Sequence, residues 1–221
     1  MTRIGATRTA ALLTLALACS CSAPSAVIRI APPIVAPTTV TNPVPLKPEQ
    51  VILPDEEFPL GGFKVAQDEL VGKGWERRWT KAAPGVPFSW VSVDIRVLGP
   101  ATSAAASWLA EEICDSVFDP PARSKTEIAV PVVGESARAC RYDWGGKPGA
   151  VLVYKTAIRN VAIEVGVSRE IASRASMAET IDFLASLADY QVWIIERVAP
   201  LPGVTLRPAP QVRVPTARIV P

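Results

Sequence analysis

Proline placement sets the first limit on what this chain can fold into. Residues Ser22 to Pro54 hold eight prolines in 33 residues, and Ala199 to Pro221 holds six more. Proline lacks a backbone N–H and fixes φ, so neither stretch can supply a central strand or a continuous helix. The first stretch reads as an extended tether that could reach on the order of 100 Å at ~3.1 Å per residue. Its isoleucines and valines leave open that part of it docks on the domain as an edge strand. About 140 residues from Phe58 to Val198 lie between the two stretches and carry all six tryptophans. A segment of that size buries roughly two-thirds of its unfolded surface, enough for a core. The expected organisation is a signal segment over 1–18, a tether over 19–57, one globular domain over 58–198 and a proline-rich basic tail over 199–221.

The start of the chain reads as an address. Arg3 and Arg8 precede an uncharged apolar run from Ala10 to Ala18. That run is far short of the ~20 residues needed to span a bilayer, and it matches the apolar region of a secretory signal peptide. Leu15-Ala16-Leu17-Ala18-Cys19 resembles a bacterial lipobox, with Ala16 where the pattern more often has leucine. The resemblance implies cleavage after Ala18 and a diacylglyceryl thioether on Cys19, with Cys21 as a competing site. The alternative is ordinary signal cleavage nearby that leaves two exposed thiols, a liability in an oxidising compartment. Removing Arg3 and Arg8 from the 23 basic residues leaves 21 against 21 acidic ones, a net charge of zero. Nucleic-acid binders carry a clustered basic surplus, so no nucleic-acid partner is expected.

Within the domain the hydrophobic period changes repeatedly. Trp90 to Leu98 alternates, with Val91, Val93, Ile95 and Val97 on one face. Gly74 to Lys81 places Trp75, Arg77 and Trp79 on one face, and both segments read as strands. Ala106, Leu109, Ala110, Ile113 and Val117 form a helical stripe behind a Thr102 or Ser103 cap, ended by Pro120-Pro121. Strands are then expected over 127–133, 136–144, 150–156 and 161–167, with a Gly145–Gly149 turn. Ser176-Met177-Ala178-Glu179 is a capping box that opens a last helix. Pattern alone leaves 192–195 open between helix and strand. The predicted class is α+β, an antiparallel sheet packed against two helices with proline-rich extensions at both ends. The order of lipobox, tether, hairpin, helix, strands and final helix resembles the small α+β modules of bacterial cell-envelope lipoproteins. The resemblance is architectural and implies ligand or partner binding rather than catalysis.

Histidine is absent, which excludes Ser–His and Cys–His nucleophile pairs and zinc sites that need imidazole. No Ser-x-x-Lys, Gly-x-Ser-x-Gly or phosphate-binding Gly-x-x-x-x-Gly-Lys pattern occurs. No catalytic residue, metal site or cofactor is assigned. Glu111, Asp115 and Asp119 share a helical face and could meet a divalent cation, although a solvated acidic face is the simpler reading. Trp75 and Trp79 beside Arg77 could line a sugar or lipid site, or lie in the core. In an oxidising compartment Cys114 and Cys140 are expected to form a disulfide that staples the first helix to the sheet. By loop closure such a bond contributes roughly 3.5 kcal/mol; the alternative is two buried thiols.

The expected role is a surface-tethered binding module of the cell envelope, bound to the membrane by its lipid and facing outside the cytoplasm. A histidine-independent envelope hydrolase and a structural spacer are the alternatives. Cys19→Ala should release the protein into the soluble fraction or leave it unprocessed, as cell fractionation and intact mass will show. A processed variant that still sediments with membranes would move the lipid to Cys21.

Overall fold

Seven strands pair into one sheet, and period-two alternation is clearest in Trp90–Val97. The structure, a computed structural model, describes residues 40–83, 85–110, 114, 122–144, 150–169 and 175–215. The strands are β1 (Phe63–Val71), β2 (Gly74–Lys81), β3 (Trp90–Val97), β4 (Ser124–Ile128), β5 (Ser136–Asp143), β6 (Ala150–Ile158) and β7 (Val161–Arg169). Their spatial order is β1-β2-β3-β7-β6-β5-β4, with every neighbouring pair antiparallel. The helices are α1 (Pro48–Val51), α2 (Ala104–Ala110) and α3 (Met177–Val198). The fold is α+β. Among the described residues no helix is long and apolar enough to cross a membrane.

One face of the sheet carries the main core. Val91, Val93 and Ile95 of β3, Ile163, Val165 and Val167 of β7, and Leu152 and Tyr154 of β6 are buried there with Phe183, Leu184, Leu187 and Ile195 of α3. Ser176 caps α3: its hydroxyl accepts from Glu179 N–H at 3.1 Å, and the Glu179 carboxylate accepts from Ser176 N–H at 2.7 Å. The helix runs through Val198, so the segment 192–195 is helical, with Val192, Ile194 and Ile195 buried. On the opposite face α2 lies over β6 and β7. Its Ala104 and Ala105 meet Ala157 and Ala162, small side chains that let helix and sheet approach closely. Ser103 caps α2 by accepting from Ala106 N–H at 3.2 Å. Of the predicted first helix beyond Ala110 only Cys114 is described, and its φ of 59° is not helical, so the expected placement of this cysteine on the helix is corrected. Ile113, Val117 and the Gly145–Gly149 turn lie outside the described residues.

Three differences from the sequence reading have physical causes. β1 was not expected, because a bulge between Val65 and Gln67 shifts the register and breaks its alternation. The fourth strand covers 124–128 rather than 127–133. Pro131 cannot donate to a ladder; its carbonyl accepts from the Tyr154 hydroxyl at 2.6 Å, and the Thr156 hydroxyl bonds the Val133 carbonyl. The third difference concerns the domain's edges. Val44, Val51, Ile52 and Leu53, placed in the tether by the sequence reading, are buried in the core.

Two buried amides hold that segment, doing for it what a sheet ladder does for a strand. Asn160, in the β6–β7 turn, accepts from Val44 N–H at 2.6 Å and donates to the Leu98 carbonyl at 3.0 Å. Gln191 of α3 accepts from Leu53 N–H at 2.8 Å and donates to the Val51 carbonyl at 2.6 Å. Just beyond, Glu57 forms an ion pair with Arg197 at 2.8 Å and accepts from the Tyr190 hydroxyl at 3.0 Å. Residues after 199 also lie on the domain: Trp193 donates to the Arg207 carbonyl at 2.9 Å, and Arg207 meets Asp189 and Glu196 at 2.8 and 3.0 Å.

Gln191, Val51 and Leu53 are all fully buried. Gln191→Leu keeps the volume and orphans one N–H and one carbonyl, so it should cost about 2–5 kcal/mol. Urea denaturation monitored by tryptophan fluorescence will measure it; a loss below 1 kcal/mol, by the same scale, would mean that the amide does not hold the segment.

Candidate functional site

The face of the sheet opposite α3 carries the most unusual side chains among the described residues. Cross-strand register sets Glu76 opposite Asp94, Asp94 opposite Glu164, Glu164 opposite Lys155, and Lys155 opposite Arg138. Period-two alternation turns all five to the same face. The result is a transverse row across β2, β3, β7, β6 and β5, acidic at one end and basic at the other. These groups are not freely solvated: the side chains of Glu76 and Asp94 are only 11% and 17% exposed.

Each charge has identifiable neighbours. Arg78 grips Glu76 at 2.6 Å and lies over the Trp90 ring, 5.3 Å from its centroid. Lys155 meets Glu164 at 3.5 Å, and Arg138 meets Glu127 of β4 at 3.6 Å. Asp94 meets Arg96 at 3.4 Å. Burial pushes the Asp94 carboxyl up to about 7; Arg96 opposes the rise, while the negative charges of Glu164 and Glu76 add to it. The row fits because of glycine. A Cβ at Gly74 would sit 2.6 Å from Asp94 Oδ1, and one at Gly166 would sit 3.0 Å from Ser92 Oγ.

A carboxyl that titrates near neutrality beside two further carboxylates can exchange protons or meet a cationic group. The described residues contain no group of three or more His, Cys, Asp or Glu arranged to hold a metal ion. The acidic residues Glu111, Asp115 and Asp119 lie outside the described residues.

The residues singled out by sequence fare differently. Cys19 and Cys21 lie outside the described residues. Cys114 and Cys140 are joined, with Cα atoms 5.5 Å apart, and both are buried with Tyr142, Val151 and Val153 on the α2 face. The bond ties the chain beyond α2 to β5. Trp75, Arg77 and Trp79 are not an open ligand platform: they are used internally. Trp79 is 1% exposed, stacks on Phe58 with centroids 4.1 Å apart and donates to Asp55 at 2.7 Å. Arg77 donates to the Leu53 carbonyl and pairs with Asp68, each at 2.7 Å, while Trp75 donates to the same carboxylate at 2.6 Å. Their face is the one that receives the segment 44–58, of which 44–57 is expected from the sequence to be tether.

The transverse row escaped the sequence reading for a definite reason. Each acidic residue sits at the polar phase of an alternating strand and reads as solvent-facing. Only the strand order places them side by side. The chain matches no family model, no curated protein and no solved structure.

The raised pKa of Asp94 has a signed consequence for stability. Below the ordinary Asp value of 3.8 both folded and unfolded chains hold the proton on residue 94. As pH climbs from there to about 7, the unfolded chain ionises first and the folded state loses stability, by up to about 4 kcal/mol. Asp94→Asn removes this loss. The variant should match the wild type at pH ~4 and be more stable at pH ~8, where the difference is greatest. Thermal unfolding at both values checks it, and a constant difference would refute the shift.

Proposed function

We propose that the protein is a surface-tethered lipoprotein serving as a ligand- or partner-binding module of the cell envelope, anchored through Cys19 and facing away from the cytoplasm. The observation that carries this reading is the join between the proline-rich stretch and the domain. From Val44 onward the chain is bolted to the core by Asn160 and Gln191. The rigid domain thereby begins at Val44 rather than after the proline-rich stretch. A domain joined to a lipid is held at high local concentration near the membrane, which favours engaging partners there.

Binding is favoured over catalysis by the chemistry available. The chain has no histidine. On the transverse row Lys155 is paired with Glu164, and Arg78 with Glu76, rather than with a nucleophile. A hydrolase is the second reading, and one observation favours it. Asp94, with its carboxyl near 7, lies between two other carboxylates, and such environments split acid and base roles.

Full-length protein extracted from envelope membranes in mild detergent should carry a bound component at fixed stoichiometry, identified by mass spectrometry. Cys19→Ala protein, displaced from the membrane, should carry less of it. Bare protein in both preparations would favour the spacer. Turnover of an envelope ester, amide or glycoside that is lost in Asp94→Asn would favour the enzyme.

A further inference from the structure

One end of the sheet gathers features that the core does not need. Register places the β1–β2 turn, the end of β3 and the β6–β7 turn at that same end: Val71 lies opposite Gly74, Trp75 opposite Ile95, and Val97 opposite Val161. The tip of the β1–β2 hairpin exposes Leu70, at 64%, and Val71, with Lys73 beside them. The carboxyl end of α3 reaches this end too, because Arg159 of the β6–β7 turn donates to the Ala199 carbonyl at 2.8 Å. Val198 and Val204 are exposed there. At the opposite end, none of the exposed large apolar side chains lies in the described part of the β2–β3 turn. Single exposed apolar residues are ordinary, but several gathered at one end call for a partner.

The same end receives the incoming chain. Arg159 donates to the Asn42 carbonyl at 3.3 Å, and Asn160 holds Val44. We infer that this end faces the lipid bilayer, with Leu70 and Val71 dipping into the interface. The inference rests on the lipid-anchored reading of Cys19. An anchor alone leaves orientation free, whereas apolar side chains beside the point of attachment select one orientation without the tether having to wrap around the domain. Apolar groups on such a tip enter the boundary between headgroups and acyl chains, and Lys73 suits anionic headgroups.

The test uses the full-length lipidated chain in vesicles of phosphatidylcholine and phosphatidylglycerol, in a Cys21→Ser background. Nitroxide labels are placed by Val71→Cys, by Val204→Cys and, at the opposite end, by Ala82→Cys. On vesicle binding, the labels at 71 and 204 should gain several-fold in collisions with oxygen relative to a water-soluble nickel chelate, and the label at 82 should not change. Vesicle-bound chain with all three labels equally aqueous would overturn the orientation alone. Labels at 71 and 204 that are shielded from both quenchers would assign this end to a protein contact and overturn it as well. Wild-type chain that fails to stay on membranes would overturn the anchoring reading, and this inference with it.

Discussion

Two buried amide side chains, Asn160 and Gln191, fix how this protein is assembled. The segment 44–58, with prolines at 45, 48 and 54, cannot enter a sheet by its own backbone pattern. It can still lie in a core if side chains supply the donors and acceptors that a neighbouring strand would have offered. Asn160 does so at Val44, and Gln191 does so at Val51 and Leu53. With those backbone groups satisfied, burying Val44, Val51, Ile52 and Leu53 becomes favourable. Phe58 and Asp55 can then reach Trp79, closing the core over β2.

The sheet has two faces of different character. Against α3 it is apolar and closely interdigitated. Against α2 it is divided: alanines contact alanines toward the β6–β7 turn, and the disulfide cluster lies toward the far ends of β5 and β6. Charges occupy the row between them. Burying ionisable groups is costly unless each meets an opposite charge. Glu76, Asp94 and Glu164 meet opposite charges at 2.6, 3.4 and 3.5 Å, yet at Asp94 the cost of burial, with a like charge on either side, outweighs the pairing. That makes this face the one where chemistry, rather than packing, varies with solution conditions.

Much of the fold was legible in the sequence where local signals were complete. The alternation in β2, β3 and β7 and the Ser176–Glu179 capping box each stand alone as patterns. Legibility failed where a neighbour decides the outcome. The β1 bulge shifts the phase on the Trp75–Trp79 face from Phe63 and Val65 to Asp68 and Leu70, so no single period fits the strand. The segment 44–58 reads as tether because its partners, Asn160 and Gln191, lie more than a hundred residues away. Trp75 and Trp79 read as a possible platform because the occupant of their face was out of sight for the same reason. The charged row is the extreme case. It depends on β7 inserting between β3 and β6, a topological fact with no local signature.

The latches also set how the molecule answers mechanical tension. A pull arriving from the amino-terminal side meets Asn42–Arg159 and Val44–Asn160 first, and only afterwards the Leu53–Gln191 contacts and the Glu57–Arg197 pair. These connections stand in series along the chain, so they yield one after another. The strand ladder stays unloaded until the last has parted. Slack is therefore paid out in steps, and the segment 44–58 acts as a shock absorber between the chain that precedes it and the sheet.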